Sequence, residues 1–219
     1  MHNHHRLFGA LALVLLVLAA CQPAVTPTNT TESSPIPSET AEVTSSPTAA
    51  GSNWWDEAVF YEIFVRSFKD SDGDGIGDFQ GIIQQLDYLN DGDPNTTDDL
   101  GINAIWLMPI YPSPSYHGYD VTDYQDVNPD YGTLEDFQQL LEECHARGIR
   151  VIIDFVINHT SDKHPWFQAA LDPTSPYHEY YVWSETKPQG LGPLGQESWF
   201  KAPNGKYYYA VFWSGMPDL

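Results

Sequence analysis

The sequence predicts an α/β fold: the opening strands of a parallel sheet, each followed by a helix, and then an irregular strand-rich insertion. Three observations predict it. Apolar runs of strand type and apolar stripes at helical spacing alternate strand, helix, strand, helix, strand between residues 57 and 159, and the helices are long enough for right-handed crossovers. No glycine-rich dinucleotide fingerprint follows the first strand; an acidic loop stands there instead, which favours the N-terminal part of a (β/α)8 barrel over a doubly wound sheet. From Thr160 to Leu219 the pattern changes to short aromatic pieces, EYYVW, SWF and KYYYAVFW, separated by Pro and Gly turns.

Each element has a local reason. EAVFYEIFVRSF is aromatic and β-branched and reads as the first strand. FQGIIQQLDYL places Phe79, Ile82, Ile83, Leu86 and Leu89 on one helical face. The polar stretch NDGDPNTTDDLG breaks that helix, and INAIWLMPI after it looks like a strand buried on both faces. A long loop rich in Tyr, Pro and Asp leads to Thr133, which with Asp136 forms a capping-box-like helix start. Leu134, Phe137, Leu140, Leu141 and Cys144 supply this helix's apolar stripe, and Gly148 stops it. IRVIIDFVINH is the third strand, ending in polar residues.

Ahead of this core, residues 1–21 run from His2, His4, His5 and Arg6 through an apolar stretch to Leu18-Ala19-Ala20-Cys21. The stretch is short of a membrane span and reads as an export signal. Its ending resembles a lipobox, so a lipid anchor on Cys21 and an exported location, at the cell surface or outside the cell, are expected. Residues 22–52 are rich in Ser, Thr and Pro with little to bury, and read as a disordered tether. The expected organisation is then 53–159 for the barrel portion and 160–219 for the insertion. Cys144 is the one remaining cysteine, so no disulfide forms within the domain.

Charge narrows the partners. Nine Lys and Arg against 30 Asp and Glu give a formal charge of -21, which repels phosphate backbones and anionic lipid and excludes nucleic acid as a natural partner. Aromatic residues make up 14% of the chain, enough to serve both core packing and stacking on sugar rings.

The segment FKDSDGDGIGDFQG crowds four carboxylates into one turn. Asp70, Asp72 and Asp74 at alternate positions, Gly75 for the sharp turn, the Ile76 carbonyl and Asp78 repeat the first nine positions of a calcium loop. Such carboxylates repel one another unless a hard cation sits among them. Calcium is the expected ion. The twelfth position of an EF-hand needs a bidentate Glu, and Gly81 stands there, so the ion is expected to pin the turn between first strand and first helix.

Taken together, YEIFVRSFKDSDGDGIGDFQGI, GINAIWLMPIYPSPSYHGYDVTDY, DFVINHTSDKHPWF and FWSGMPDL resemble, in order, the N-terminal part of the alpha-amylase family of glycoside hydrolases, family 13. The resemblance runs from Trp54 to Leu219 and is nearest bacterial extracellular α-amylases with the MPDL motif. It implies a (β/α)8 barrel, with domain B beginning at Thr160. It implies calcium on Asp70, Asp72, Asp74, Asp78 and the Ile76 carbonyl. Tyr119 is expected to stack on the glucose at the cleavage subsite, His159 to hydrogen-bond that sugar, and Asp154 to act as an architectural partner; the role of Asn158 stays open. Exo-acting relatives carry an Asp two residues before the Gly-Tyr pair, where this chain has Tyr116. That favours cleavage within α-1,4-linked glucans such as starch and maltooligosaccharides over α-glucosidase action. The alternatives are a transglycosylating relative such as a trehalose synthase, and an inactive calcium-binding lipoprotein. In this family the nucleophilic Asp, acid/base Glu and stabilising Asp follow later strands, so no catalytic carboxylate is assigned between Met1 and Leu219.

Overall fold

The computed structural model describes residues 53–219; the expected signal, tether and Cys21 lie outside the described residues. A short 3-10 turn, Trp54–Asp56, leads into strand β1 (Phe60–Ile63). Helical turn α1 (Val65–Phe68), helices α2 (Phe79–Gln84) and α3 (Leu86–Leu89), strand β2 (Ala104–Leu107), helix α4 (Leu134–Ala146) and strand β3 (Arg150–Ile153) follow. β1, β2 and β3 form a parallel sheet in that order, with Ile63 beside Leu107 and Leu107 beside Ile153.

The sheet is one-sided. Tyr61, Ile63, Ile105, Leu107, Val151 and Ile153 face the helices and join the main core. Phe79, Ile82, Leu86 and Leu89 press on them with no exposed surface, each stabilising the fold by ~1.5–3 kcal/mol. The opposite face carries Phe60, Glu62, Trp106 and Ile152, and both Trp106 and Ile152 are 38% exposed. β2 is therefore buried on one face only, unlike the expectation from its continuous apolar run. A barrel encloses that second face once its sheet closes; three strands do not.

Three further differences have local causes. The first apolar run is a strand only to Ile63, because α1 turns the chain so that the Arg66 and Lys69 carbonyls accept the Gly77 and Asp78 amides of the acidic turn. The expected single helix at 79–89 breaks at Gln85, yet keeps its apolar face because α2 and α3 share the core. Leu134 is 48% exposed at the first turn of α4, off the stripe that buries Leu140 and Cys144. The cap is as expected: Thr133 and Asp136 satisfy each other's backbone amides.

Beyond β3 the insertion contains helix α5 (Pro165–Ala170), a 3-10 turn His178–Tyr180, and strands β4 (Trp183–Ser184), β5 (Trp199–Lys201) and β6 (Tyr207–Tyr209). The strands form an antiparallel sheet in the order β4-β6-β5. Phe167, Tyr181 and Tyr208 close a separate aromatic core beneath it. α5 escaped the sequence reading; Pro165 starts it and the Trp166 amide donates to His164 Nδ1 at 3.0 Å. The insertion leaves and returns at one place. Thr160 and Asp162 donate to the carbonyls of Pro217 and Gly215, Leu219 donates to that of Asn158, and His159 pairs with Asp218.

Candidate functional site

Two groups of side chains gather at the C-terminal ends of the parallel strands. The first is the acidic turn between α1 and α2. Gly73 and Gly75 adopt φ of 90° and 92°, a left-handed conformation that lets the chain coil around its own carboxylates. Asp70 accepts the amides of Asp72, Gly73 and Gly75, Asp72 that of Asp74, and Asp74 that of Ile76. Asp78 accepts Ser71 N–H with one oxygen and caps α2 through Gly81 N–H with the other. The Gly73 and Gly75 amides hold the Asp70 carboxyl below the usual range.

Oxygens of Asp70, Asp72 and Asp78 lie within 4.8 Å of one another. Hard oxygen donors so spaced can share one cation at ~2.3–2.6 Å, so the donor set fits calcium. Asp74 does not join this group; its carboxylate turns to the Ile76 amide at 2.7 Å. Lys69 gives its ammonium to the Asp70 carbonyl, and among the described residues no Lys or Arg forms an ion pair with the carboxylates of this turn.

The second group brings together Tyr119 and His159, expected to meet sugar, and Asp154, expected to support them. Tyr119 lies in the β2–α4 loop, Asp154 and His159 after β3. The Tyr119 hydroxyl donates to Asp154 Oδ2 at 2.7 Å, and burial with this bond pushes the phenol up to about 12. His159 is 4% exposed, and its Nε2 donates to the Tyr119 carbonyl at 3.1 Å. A carbonyl only accepts, so Nε2 carries the proton and Nδ1 accepts from the Asn158 amide at 3.2 Å. Burial lowers the His159 pKa and keeps the ring neutral. Both its nitrogens are engaged within the chain, so what it offers a ligand here is a fixed ring edge and a fixed Tyr119.

Several contributors were not legible in the sequence. The Tyr124 hydroxyl donates to the carbonyls of Val156 and His159 at 2.8 and 3.0 Å and ties down the segment after β3. Asp120, 2% exposed, accepts the hydroxyls of Ser113 and Ser115 and so tightens the loop that carries Tyr119. His117 Nδ1 accepts the Tyr119 amide at 3.0 Å. Gly118 between them has φ 82°. Phe212, Trp213 and Met216 arrive with the returning end of the insertion and, with His117, Tyr119 and His159, line a cavity of about 360 Å³. The HGYD pattern marks the loop, whereas nothing local marks Phe212 or Trp213 as its neighbours.

The model of the "Alpha amylase, catalytic domain" family matches residues 62–219. Alpha-amylase 3 of Dictyoglomus thermophilum is 54% identical over 167 residues, covering 76% of this chain and 31% of that protein. An oligo-1,6-glucosidase of Parageobacillus thermoglucosidasius is 45% identical over 175 residues, covering 76% and 30% respectively. Among solved structures, an alpha-amylase from H. orenii superposes with a TM-score of 0.69 at 63% identity, covering 74% of this chain and 34% of its own. The chain thus spans about a third of the length of these relatives. The parallel sheet is the start of a (β/α)8 barrel and the strand-rich piece its insertion. The chain belongs to the alpha-amylase family of glycoside hydrolases.

Proposed function

We propose that this chain supplies the calcium-stabilised, sugar-binding opening of an exported enzyme that hydrolyses internal α-1,4-glucosidic bonds of starch-like glucans with retention. The observation that carries the reading is the Tyr119–Asp154 pair, whose tyrosine lines an aromatic cavity. The Tyr119 ring offers a π-face to the apolar face of a pyranose, and Asp154 fixes the ring through its hydroxyl. None of the six lining residues is Lys or Arg, so the cavity offers no fixed cation to a phosphate and suits an uncharged sugar. Tyr116, 68% exposed and packed edge-to-face on Phe64 at 5.2 Å, places no anion to close the site around a chain end, which supports endo action.

Calcium would be held by Asp70, Asp72 and Asp78, with the Ile76 carbonyl and, once its carboxylate releases the Ile76 amide, Asp74 as further ligands, and would lock the turn between β1 and α2. Retention needs a nucleophile and an acid/base carboxylate ~5–5.5 Å apart; no residue of this chain is assigned to either role. A lipid on Cys21 would hold the enzyme at the cell surface. The test is product analysis of the protein as its gene encodes it. Maltooligosaccharides of mixed length from soluble starch support the reading. Glucose alone from maltotriose would show an α-glucosidase, and trehalose from maltose a transglycosylase.

A further inference from the structure

The segment that carries His159 has no regular support of its own. From Asp154 to Asn158 the chain belongs to neither a strand nor a helix, yet it sets the histidine whose Nε2 holds the Tyr119 carbonyl. The Tyr124 hydroxyl bridges the two ends of this turn. It lies 2.8 Å from the Val156 carbonyl and 3.0 Å from the His159 carbonyl, so one proton is shared between two acceptors of the same turn. Burial pushes the phenol up to about 12, so it remains a donor throughout the neutral range.

The ring behind that hydroxyl is held as firmly. Tyr124 packs beside Tyr111 at 5.5 Å, Phe155 at 5.8 Å and His164 at 5.6 Å, and stacks on Trp166 at 6.0 Å with 26° between the planes. Trp166 in turn stacks on Tyr177 at 6.3 Å, and its amide donates to His164 Nδ1 at the start of α5. The β2–α4 loop, the turn after β3 and the insertion therefore meet at one phenol, which does not itself line the cavity of Tyr119 and His159.

We propose that Tyr124 is a positioning residue for the reaction: its hydroxyl fixes the turn that aims His159, and through Trp166 that aim depends on how helix α5 of the insertion is docked. The inference rests on the α-glucan reading above. Groups that meet a reacting sugar tolerate little displacement, so loosening this turn lowers turnover without removing any contact to substrate. Tyr119 is drawn in as well, because the same histidine holds its carbonyl.

The experiment measures kcat/KM on maltoheptaose and the melting temperature for Tyr124→Phe and Trp166→Phe, each in the wild-type and in a His159→Ala background, in the protein as its gene encodes it. Tyr124→Phe keeps the ring and its stack, and a loss of about 5- to 10-fold in kcat/KM is expected beside an intact His159. In the His159→Ala background the same change should cost less than about twofold, because the group being positioned is gone. Trp166→Phe keeps the hydroxyl and loosens its backing; about a two- to threefold loss is expected, again silent without His159. Equal losses in both backgrounds, or a lowered melting temperature with kcat/KM unchanged, mean fold support alone and overturn the assignment while leaving the α-glucan reading in place. If Tyr124→Phe does not fold, Trp166→Phe decides by the same comparison. A wild type without activity on maltooligosaccharides overturns the α-glucan reading and the assignment with it.

Discussion

The hydroxyl of Tyr119 and the carboxylate of Asp154, 35 residues apart in sequence, meet at 2.7 Å across the ends of β2 and β3. The bond joins two loops that share no local sequence signal. It also fixes a ring that is only half-buried, so the Tyr119 face is oriented before any sugar arrives.

Removing that bond should therefore separate orientation from stacking. Tyr119→Phe keeps the ring and loses about 1 kcal/mol of positioning, for a fall of roughly 5- to 10-fold in kcat/KM on maltooligosaccharides. Tyr119→Ala, which loses the face as well, should fall further. Steady-state kinetics of both variants check this, and equal losses in the two would mean that the ring face is not used.

Calcium should bind the folded turn and not the unfolded chain, and so raise stability by linkage. At free calcium 100 times Kd the gain is ~2.7 kcal/mol. Chelation should lower the melting temperature, and Asp72→Asn should abolish the calcium dependence. Asp72 is the sharper choice because Asp78 also caps α2. A melting temperature indifferent to chelator removes the ion from the account.

The pH dependence has a defined sign. His159 has a folded pKa below its usual 6.5 because burial disfavours the charged ring. Its contribution is present above 6.5 and is lost as pH falls through that value toward the folded pKa. Asp136 is lowered from 3.8 chiefly by its hydrogen bond from Gln80, and Asp172 by the Thr174 amide. Their contributions persist to lower pH and disappear below 3.8. Melting temperatures should fall in two stages on acidification; His164, also buried and lowered from 6.5, shares the first stage, so His159→Gln should reduce that stage without abolishing it and leave the second unchanged.

Cys144 has no exposed surface on α4, and burial pushes its thiol up to about 12. It should stay inert to a thiol-reactive dye in the native state and react as the protein unfolds. Cys144→Ser places a hydroxyl in the apolar core and should cost about 1–3 kcal/mol, read as a lower denaturation midpoint. Rapid labelling under native conditions would contradict the packing of α4 on the sheet.

Features set by neighbours along the chain were legible without coordinates. The Thr133–Asp136 cap, the stripe that buries Leu140 and Cys144, the β-type runs around Ile63, Leu107 and Val151, and the alternating carboxylates of the acidic turn all follow from periods of two or 3.6 residues and from turn chemistry. Where the helix at 79–89 breaks, which face of β2 stays exposed, and that Asp74 turns away from Asp70, Asp72 and Asp78 were decided by packing. The site itself divides in the same way. HGYD marks the loop that carries Tyr119, and INH the polar end of the third strand run at His159, but only the fold brings Asp154 to the Tyr119 hydroxyl, Tyr124 to the His159 carbonyl, and Phe212 and Trp213 to the cavity. These contacts join segments far apart in the chain. Their geometry depends on sheet register and on the insertion returning beside its own start, and no window of sequence contains either.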